Sequence, residues 1–329
     1  MLSSLQDLGR YGLQHIGVVP CGAMDEVSHR IANALVGNAE NAATLEMTLR
    51  GPVLEFEHAV LVSLHGAEMD ATVDGQPMPR GRPVLVAPGR RLDCGSARVG
   101  CRAYLAIAGG FDAPPILGSR STYMPAKFGG LGGRALVAGD RLAIEGDGAA
   151  VSAERAARLK LRTGKGDGLA SVTWRAPDLS LTCEPEIRLH ALDGRHVELF
   201  DEQAVDAFFG GEWRVLPDSN RMGFRLSGST LERKVPGDLL SEATCLGTVQ
   251  VPADGAPIVL MADHQTTGGY AKIAEVAGAD IARLAQAAPG ARLRFGRVDV
   301  AIADALRGVL EHHLTALRRT LAWQYGGVA

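Results

Sequence analysis

The segment 257–270, PIVLMADHQTTGGY, sets an apolar run directly against Asp263, His264, Gln265, Thr266, Thr267, Gly268, Gly269 and Tyr270. Adjacent Asp and His supply a base and an acid, Gln and two Thr supply neutral donors and acceptors, and the two glycine amides are unshielded. That set suits proton transfer on a small polar substrate held by hydrogen bonds. The same residues also suit a strand-to-turn corner in which Asp and Thr side chains bond nearby backbone.

Two further segments gather cations. In GSRSTY, residues 118–123, Arg120 stands among Ser119, Ser121 and Thr122, where it can hold a carboxylate in bidentate fashion or cap a turn. In DSNRMGFR, residues 218–225, Arg221 and Arg225 are four apart; on a strand they face one side and can meet one anion, or they line a solvated edge. The glycine-rich FGGLGGR, residues 128–134, fits neither GxGxxG nor the Walker pattern and lies in no βαβ unit. No Gly-x-Ser-x-Gly elbow is present, no cysteine has a thiol-nucleophile context, and His312 and His313 read as surface residues rather than metal ligands.

The elements that must position these groups are mostly short strands. The run 257–262 is too short and too β-branched for a helix and reads as a core strand delivering Asp263 at its exit. Other short apolar runs, at 59–64, 83–87, 102–108 and 141–144 and then at 187–192, 196–199, 213–217, 223–226 and 248–251, are punctuated by Gly, Pro and Asp. Such spacing suggests barrels or sandwiches. Helices are expected from Asp25, as N-cap, to Gly37, over 201–209 and 271–284, and over a long terminal stretch, 299–321. The stretch 146–171 loses hydrophobic periodicity and reads as an inter-domain linker. The expected division is a domain of residues 1–165 and a domain of residues 166–329.

Composition narrows the function classes. At 329 residues the chain can bury two cores. The balance of 34 Lys+Arg against 37 Asp+Glu, net charge -3, gives no footprint for nucleic acid or an anionic membrane. Five scattered cysteines without a CxxC pair point to reduced thiols in a cytoplasmic protein, and no metal site is expected. No secretory leader and no run of about 18 apolar residues is seen. The 41 glycines with few aromatics favour tight turns and a β-rich fold.

Six blocks, in order, resemble one family: QDLGRYGLQHIGVVPCGAMDEVSHRIANALVGN (6–38), LEMTLRGPVLEF (45–56), AGGFDAPPILGSRSTY (108–123), KFGGLGGRALVAGD (127–140), SNRMGFRLSG (219–228) and GTVQVPADGAPIVLMADHQTTGGYAKIAEV (247–276). The chain is similar to the C-subunit proteins of 5-oxoprolinase, also called KipA-like or allophanate hydrolase subunit 2, within the biotin-dependent carboxyltransferase-like group. The resemblance implies a mainly β (α+β) fold of two cyclophilin-like β-barrel domains with a few short helices and a C-terminal helix. It implies work with two partners, a KipI-like B subunit plus a LamB/YcsF-like A subunit. Together these would convert the small cyclic amide 5-oxoproline to glutamate with ATP hydrolysis, the ATP bound by the complex or by this chain.

Such chemistry loads charge onto an amide oxygen, which aimed donors stabilise. On that basis Asp263 and His264 manage the proton, while Gln265, Thr266, Thr267, Gly268, Gly269 and Tyr270 hold the substrate. Arg120, Ser121, Arg221 and Arg225 would meet carboxylate or phosphate. The alternatives are a carboxyltransferase half acting on urea or another amide, with biotin brought by another chain because no Met-Lys-Met acceptor is present here, and a regulatory protein that binds a KipI-like inhibitor. Departures from the family pattern are Ala271 in place of proline, Gly194-Arg195-His196 in place of Gly-Pro-His, and a start so near Gln6 that the first strand is expected to be short or absent.

Overall fold

The structure is a computed structural model in which residues 2–163, 169–182, 184–235, 237 and 239–326 are described. The fold is mixed α+β, mainly strands, in two compact units that exchange segments. The first unit comprises Met1–Gly9, Asp25–Leu181 and His312–Ala329; the second comprises Arg10–Met24 and Thr182–Glu311. The main boundary falls between Leu181 and Thr182 where 165/166 was expected, and Arg10–Met24 and His312–Ala329 each fall with the other unit.

In the first unit a seven-stranded sheet runs in the order Leu2–Gln6, Thr44–Thr48, Ala97–Ile107, Val60–Met69, Pro83–Val86, Ala170–Ser171, Arg162–Thr163. The strand expected to be short or absent at the start is present, and all five of its residues pair antiparallel with Thr44–Thr48. A four-stranded sheet of Val53–Glu55, Arg91–Asp93, Thr72–Val73 and Gln76–Pro77 accompanies it. The helix Glu26–Leu35 begins as the sequence predicts. Asp25 accepts from the Ser28 amide at 2.8 Å, satisfying a helix-end donor, and the apolar face with Val27, Ile31 and Leu35 is buried.

The stretch 146–171 is not a structureless linker. It contains the helix Gly148–Arg158, capped by Asp147, and two short strands that extend the sheet. The helix buries Gly148, Ser152 and Ala156, four apart, so its packing face is made of small residues and carries no apolar signal. Residues 164–168 of that stretch lie outside the described residues.

The second unit is a closed barrel. Its order is Glu186–Asp193, Ala271–Val276, Thr248–Val251, Ile258–Leu260, Gly223–Ser227, Trp213–Val215, Arg292–Arg297, closed by parallel pairing of the first and last strands. Leu189, Phe224, Val249, Val259, Ile273 and Phe295 fill its core. The helix Glu202–Gly210 is capped by Asp201, as expected.

Two expectations fail here. The stretch 271–284 is the strand Ala271–Val276 followed by the short helix Ile281–Ala285. Pairing with strands on both sides overrides the helical spacing of Ile273, Val276 and Ala277. The run 196–199 is a 3-10 turn, Val197–Leu199, rather than a strand. The terminal helix is Val300–Gln324; its residues to Glu311 fall with the second unit and those from His312 with the first.

Candidate functional site

The strand Ile258–Leu260 delivers Asp263 and His264, as the sequence suggests, into a buried position at its exit. Arg221 reaches Asp263 with both arms of its guanidinium: Nε donates to Oδ2 at 2.9 Å and Nη2 to Oδ1 at 2.9 Å. The Asp263 amide donates to the Arg221 carbonyl at 2.8 Å, so the loop before Gly223–Ser227 and the loop after Ile258–Leu260 are tied twice. Nη2 also donates to the Gly22 carbonyl at 2.6 Å. Cys21 lies beside this pair, and burial together with the Asp263 carboxylate pushes its thiol up to about 12, leaving it an inert hydrogen-bond donor.

His264 is fixed by its neighbour's backbone. Nδ1 lies 2.7 Å from the Met261 carbonyl oxygen, which can only accept, so Nδ1 carries the hydrogen. Burial holds the imidazole below its ordinary value, against the pull of the Met261 and Thr244 backbone groups and of Asp263.

Beyond His264 the chain enters a two-stranded ribbon in which Thr267–Gly268 pairs antiparallel with Glu242–Ala243. Thr244 Oγ1 donates to the Gln265 carbonyl, and the Thr244 amide donates to the Thr266 carbonyl at 3.0 Å. Thr267 and Tyr270 are exposed, and Gln265, Thr266, Gly268 and Gly269 are half-buried.

Sequence reasoning missed the residues buried against this ribbon. Gln250 and Lys272, cross-strand partners, are almost inaccessible, at 1% and 4% exposure. Lys272 Nζ donates to Glu242 at 2.7 Å and to the Ala243 carbonyl at 2.6 Å. That ammonium, with the nearby Arg195 and His196, holds Glu242 below the usual carboxylate range. His196 Nδ1 accepts from the Lys272 amide at 3.2 Å. The available signal was alternation: Val249 and Val251 belong to the core, so Thr248 and Gln250 must face the other side.

The other predicted residues are placed elsewhere. Arg225 is exposed and pairs with Asp218 at 3.1 Å, so it does not share an anion with Arg221. Arg120 and Ser121 belong to the first unit, where a carboxylate is indeed held, but it is the chain's own Asp7. Asp7 accepts from Ser119 Oγ at 2.6 Å, Ser121 Oγ at 2.5 Å, the Arg120 amide at 2.6 Å and the Gly9 amide at 2.8 Å. The Arg120 guanidinium turns instead to Glu145 at 3.1 Å. Among the described residues no cluster of three or more His, Cys, Asp or Glu is arranged to hold a metal, and no helix is long and apolar enough to cross a membrane.

The glycine-rich segment 128–134 packs tightly on itself at Gly133. A Cβ on Gly133, which has φ +70°, would lie 1.9 Å from the Lys127 carbonyl carbon. Arg134 is paired with Asp140 through two contacts of 2.7 Å, so both features serve the chain's own turn.

Comparison with known proteins is consistent along the chain. The profile of the family described as "Carboxyltransferase domain, subdomain A and B" matches residues 16–297. The C subunit of 5-oxoprolinase from Escherichia coli (strain K12) is 39% identical over 307 residues, 93% of this chain and 91% of that protein. That of Haemophilus influenzae is 37% identical over 317 residues, 96% of this chain and 95% of that protein. The crystal structure of the K. lactis urea amidolyase superimposes with a TM-score of 0.85 at 30% identity, over 96% of this chain but only 19% of the amidolyase. This chain belongs to the carboxyltransferase-domain family, subdomains A and B, and is similar over nearly its whole length to the C subunit of 5-oxoprolinase.

Proposed function

We propose that this chain is the C subunit of an ATP-dependent 5-oxoprolinase. It acts with a KipI-like B subunit plus a LamB/YcsF-like A subunit to convert 5-oxoproline, ATP and water to glutamate, ADP and phosphate. The observation that carries the reading is reciprocal coverage. The two C-subunit proteins are matched over 91% and 95% of their own lengths, whereas the K. lactis amidolyase is matched over 19%.

Opening a five-membered lactam requires donors for an oxygen that gains charge and a group that moves a proton to or from the ring nitrogen. We assign the proton to His264, kept neutral by burial, and to Asp263 the task of fixing the strand exit through Arg221. Gln265, Thr266, Thr267, Gly268, Gly269 and Tyr270 form the substrate-holding arc. ATP is a co-substrate of the complex. The close superposition on the amidolyase favours, as a second reading, carboxyl transfer to an amide with biotin carried by another chain.

The test is ATP-dependent glutamate release from 5-oxoproline by this chain purified with its own B subunit, supplemented with the A subunit. Turnover that requires all three is the expected result. A stable complex without turnover overturns the reading. An Asp263→Ala protein that folds, binds its partner and keeps full activity removes the strand exit from the mechanism.

A further inference from the structure

We infer that Gln250 and Gln265 form an amide-reading pair in the second unit, which recognises the cis N–H/C=O edge of a small cyclic amide or urea-type molecule. The choice of a lactam as the physiological ligand rests on the function proposed above; the recognition chemistry does not.

Gln250 lies in the middle of the strand Thr248–Val251 with its two neighbours in the barrel core. Its side chain is directed to the opposite face and is buried against the ribbon strand Thr267–Gly268. Gln265 Nε2 donates to Gln250 Oε1 at 3.2 Å, while Gln250 Nε2 has no hydrogen-bond partner. Native interiors seldom bury such a donor without a use for it.

The pairing logic survives exchange of O and N in both amides. Two primary amides that spend one N–H and one C=O on each other retain one N–H side and one C=O side between them. A donor beside an acceptor is the complement of a cis amide, which a lactam ring or urea presents and which a ketone, ester or lactone does not. A site built this way rejects the analogue lacking the N–H because its own acceptor is then left unpaired.

Gly268 places backbone without a side chain beside Gln250 Nε2. A Cβ built there would stand 2.7 Å from Gln250 Nε2 and 3.3 Å from Gln265 Nε2, so any side chain would cover the orphan donor. The backbone of Gly268 does not have a positive φ, hence alanine meets no conformational barrier at that position and tests space alone. Gln265 and Gly268 are both half-buried, so the Gln265 side of the pair borders solvent, while Gln250 itself is 1% exposed.

The experiment is calorimetric binding, without ATP, of 5-oxoproline, of the lactone with oxygen in place of its ring N–H, and of urea to the purified complex of this chain with its partners. Wild type, Gln250→Leu and Gly268→Ala are compared, with melting temperature as the control for folding. Wild type should prefer lactam to lactone by about 10- to 100-fold, and each variant should lose about tenfold or more in lactam affinity and most of the preference. Folded variants that retain both, or wild type that binds neither lactam nor urea, overturn the inference. If Gln250→Leu does not fold, Gly268→Ala decides. Glutamate release with an unchanged KM in Gly268→Ala and Gln250→Leu would sink the pair and leave the function standing. Gln250-dependent binding of lactam or urea without glutamate release would do the reverse.

Discussion

Asp7 in the first unit and Asp263 in the second are both nearly inaccessible, at 6% and 2% exposure, yet their partners differ in kind. Asp7 is clamped by the hydroxyls of Ser119 and Ser121 and the amides of Gly9 and Arg120. Asp263 faces a guanidinium. A neutral clamp spreads the cost of burying charge over several weak partners, each replaceable in part. An ion pair places it on one partner, whose loss strands a bare carboxylate in the interior. The first arrangement suits a loop anchor. The second suits a strand exit that must hold one geometry while neighbouring residues meet substrate.

The largest expected effect follows from that difference. Arg221→Met should destabilise the protein by about 3–5 kcal/mol in denaturant unfolding, because Asp263 remains buried without its cation. Adding Asp263→Leu should recover much of the loss, since removing both charges is far less costly than removing one. A single-mutant cost below about 1 kcal/mol, the range of exposed pairs, would erase the distinction between the two aspartates.

Acid titration separates the clamp from a neighbouring buried group. His29 in the first unit meets neutral partners, Thr44 Oγ1 at 2.8 Å, the Glu40 carbonyl at 2.9 Å and the Asn33 side-chain amide at 3.4 Å. Burial, only partly opposed by that carbonyl and by Asp7 and Glu46, lowers its pKa from 6.5 to about 4. Below pH 6.5 the unfolded chain takes a proton that the folded protein refuses, so the stabilisation is present above that value and is lost as pH falls towards 4. The loss amounts to about 3 kcal/mol.

Asp7 behaves differently: burial raises its pKa, but hydrogen bonds from Ser119, Ser121, Arg120 and Gly9 together hold it below 3.8. Its contribution therefore persists above pH 3.8 and disappears only at lower pH. Unfolding free energy measured across this range should fall in two stages, and His29→Gln should shrink the upper one, to which His65, also lowered to about 4 by burial, contributes as well. An unchanged upper stage would assign it to other groups.

Much of this arrangement was legible in the chain, and the gaps have physical causes. Asp25 and Asp201 announce their helices because a cap is a local contact, read within three residues. The strand before Asp263 was equally plain, being β-branched and bounded. Ala271–Val276 was not, because its alanines allow either state and the decision came from two partner strands far away in sequence. The Arg221–Asp263 pair joins residues 42 apart. Each was named as a site residue from its own segment, but nothing local shows that they belong together. Gln250 and Lys272 were passed over because a polar residue in a strand ordinarily means solvent, and only the ribbon packed against them, from segments far apart in sequence, reverses that meaning.

The smallest effects should come from dismantling the clamp one hydroxyl at a time. Ser119→Ala and Ser121→Ala each remove a hydrogen bond to a carboxylate that keeps its other donors, so each should cost about 1–2 kcal/mol. Ser119 Oγ also accepts from the Ser121 amide at 3.0 Å, and Ser121 Oγ from the Asp7 amide at 2.9 Å. The two hydroxyls are thus parts of one network, and their double-mutant cycle should show coupling rather than additivity. Each loss also removes a force that lowers the Asp7 pKa, so the lower acid stage should move to higher pH in both variants. If instead either serine alone costs as much as Arg221→Met, Asp7 depends on a single partner after all, and the two buried aspartates are held by the same logic.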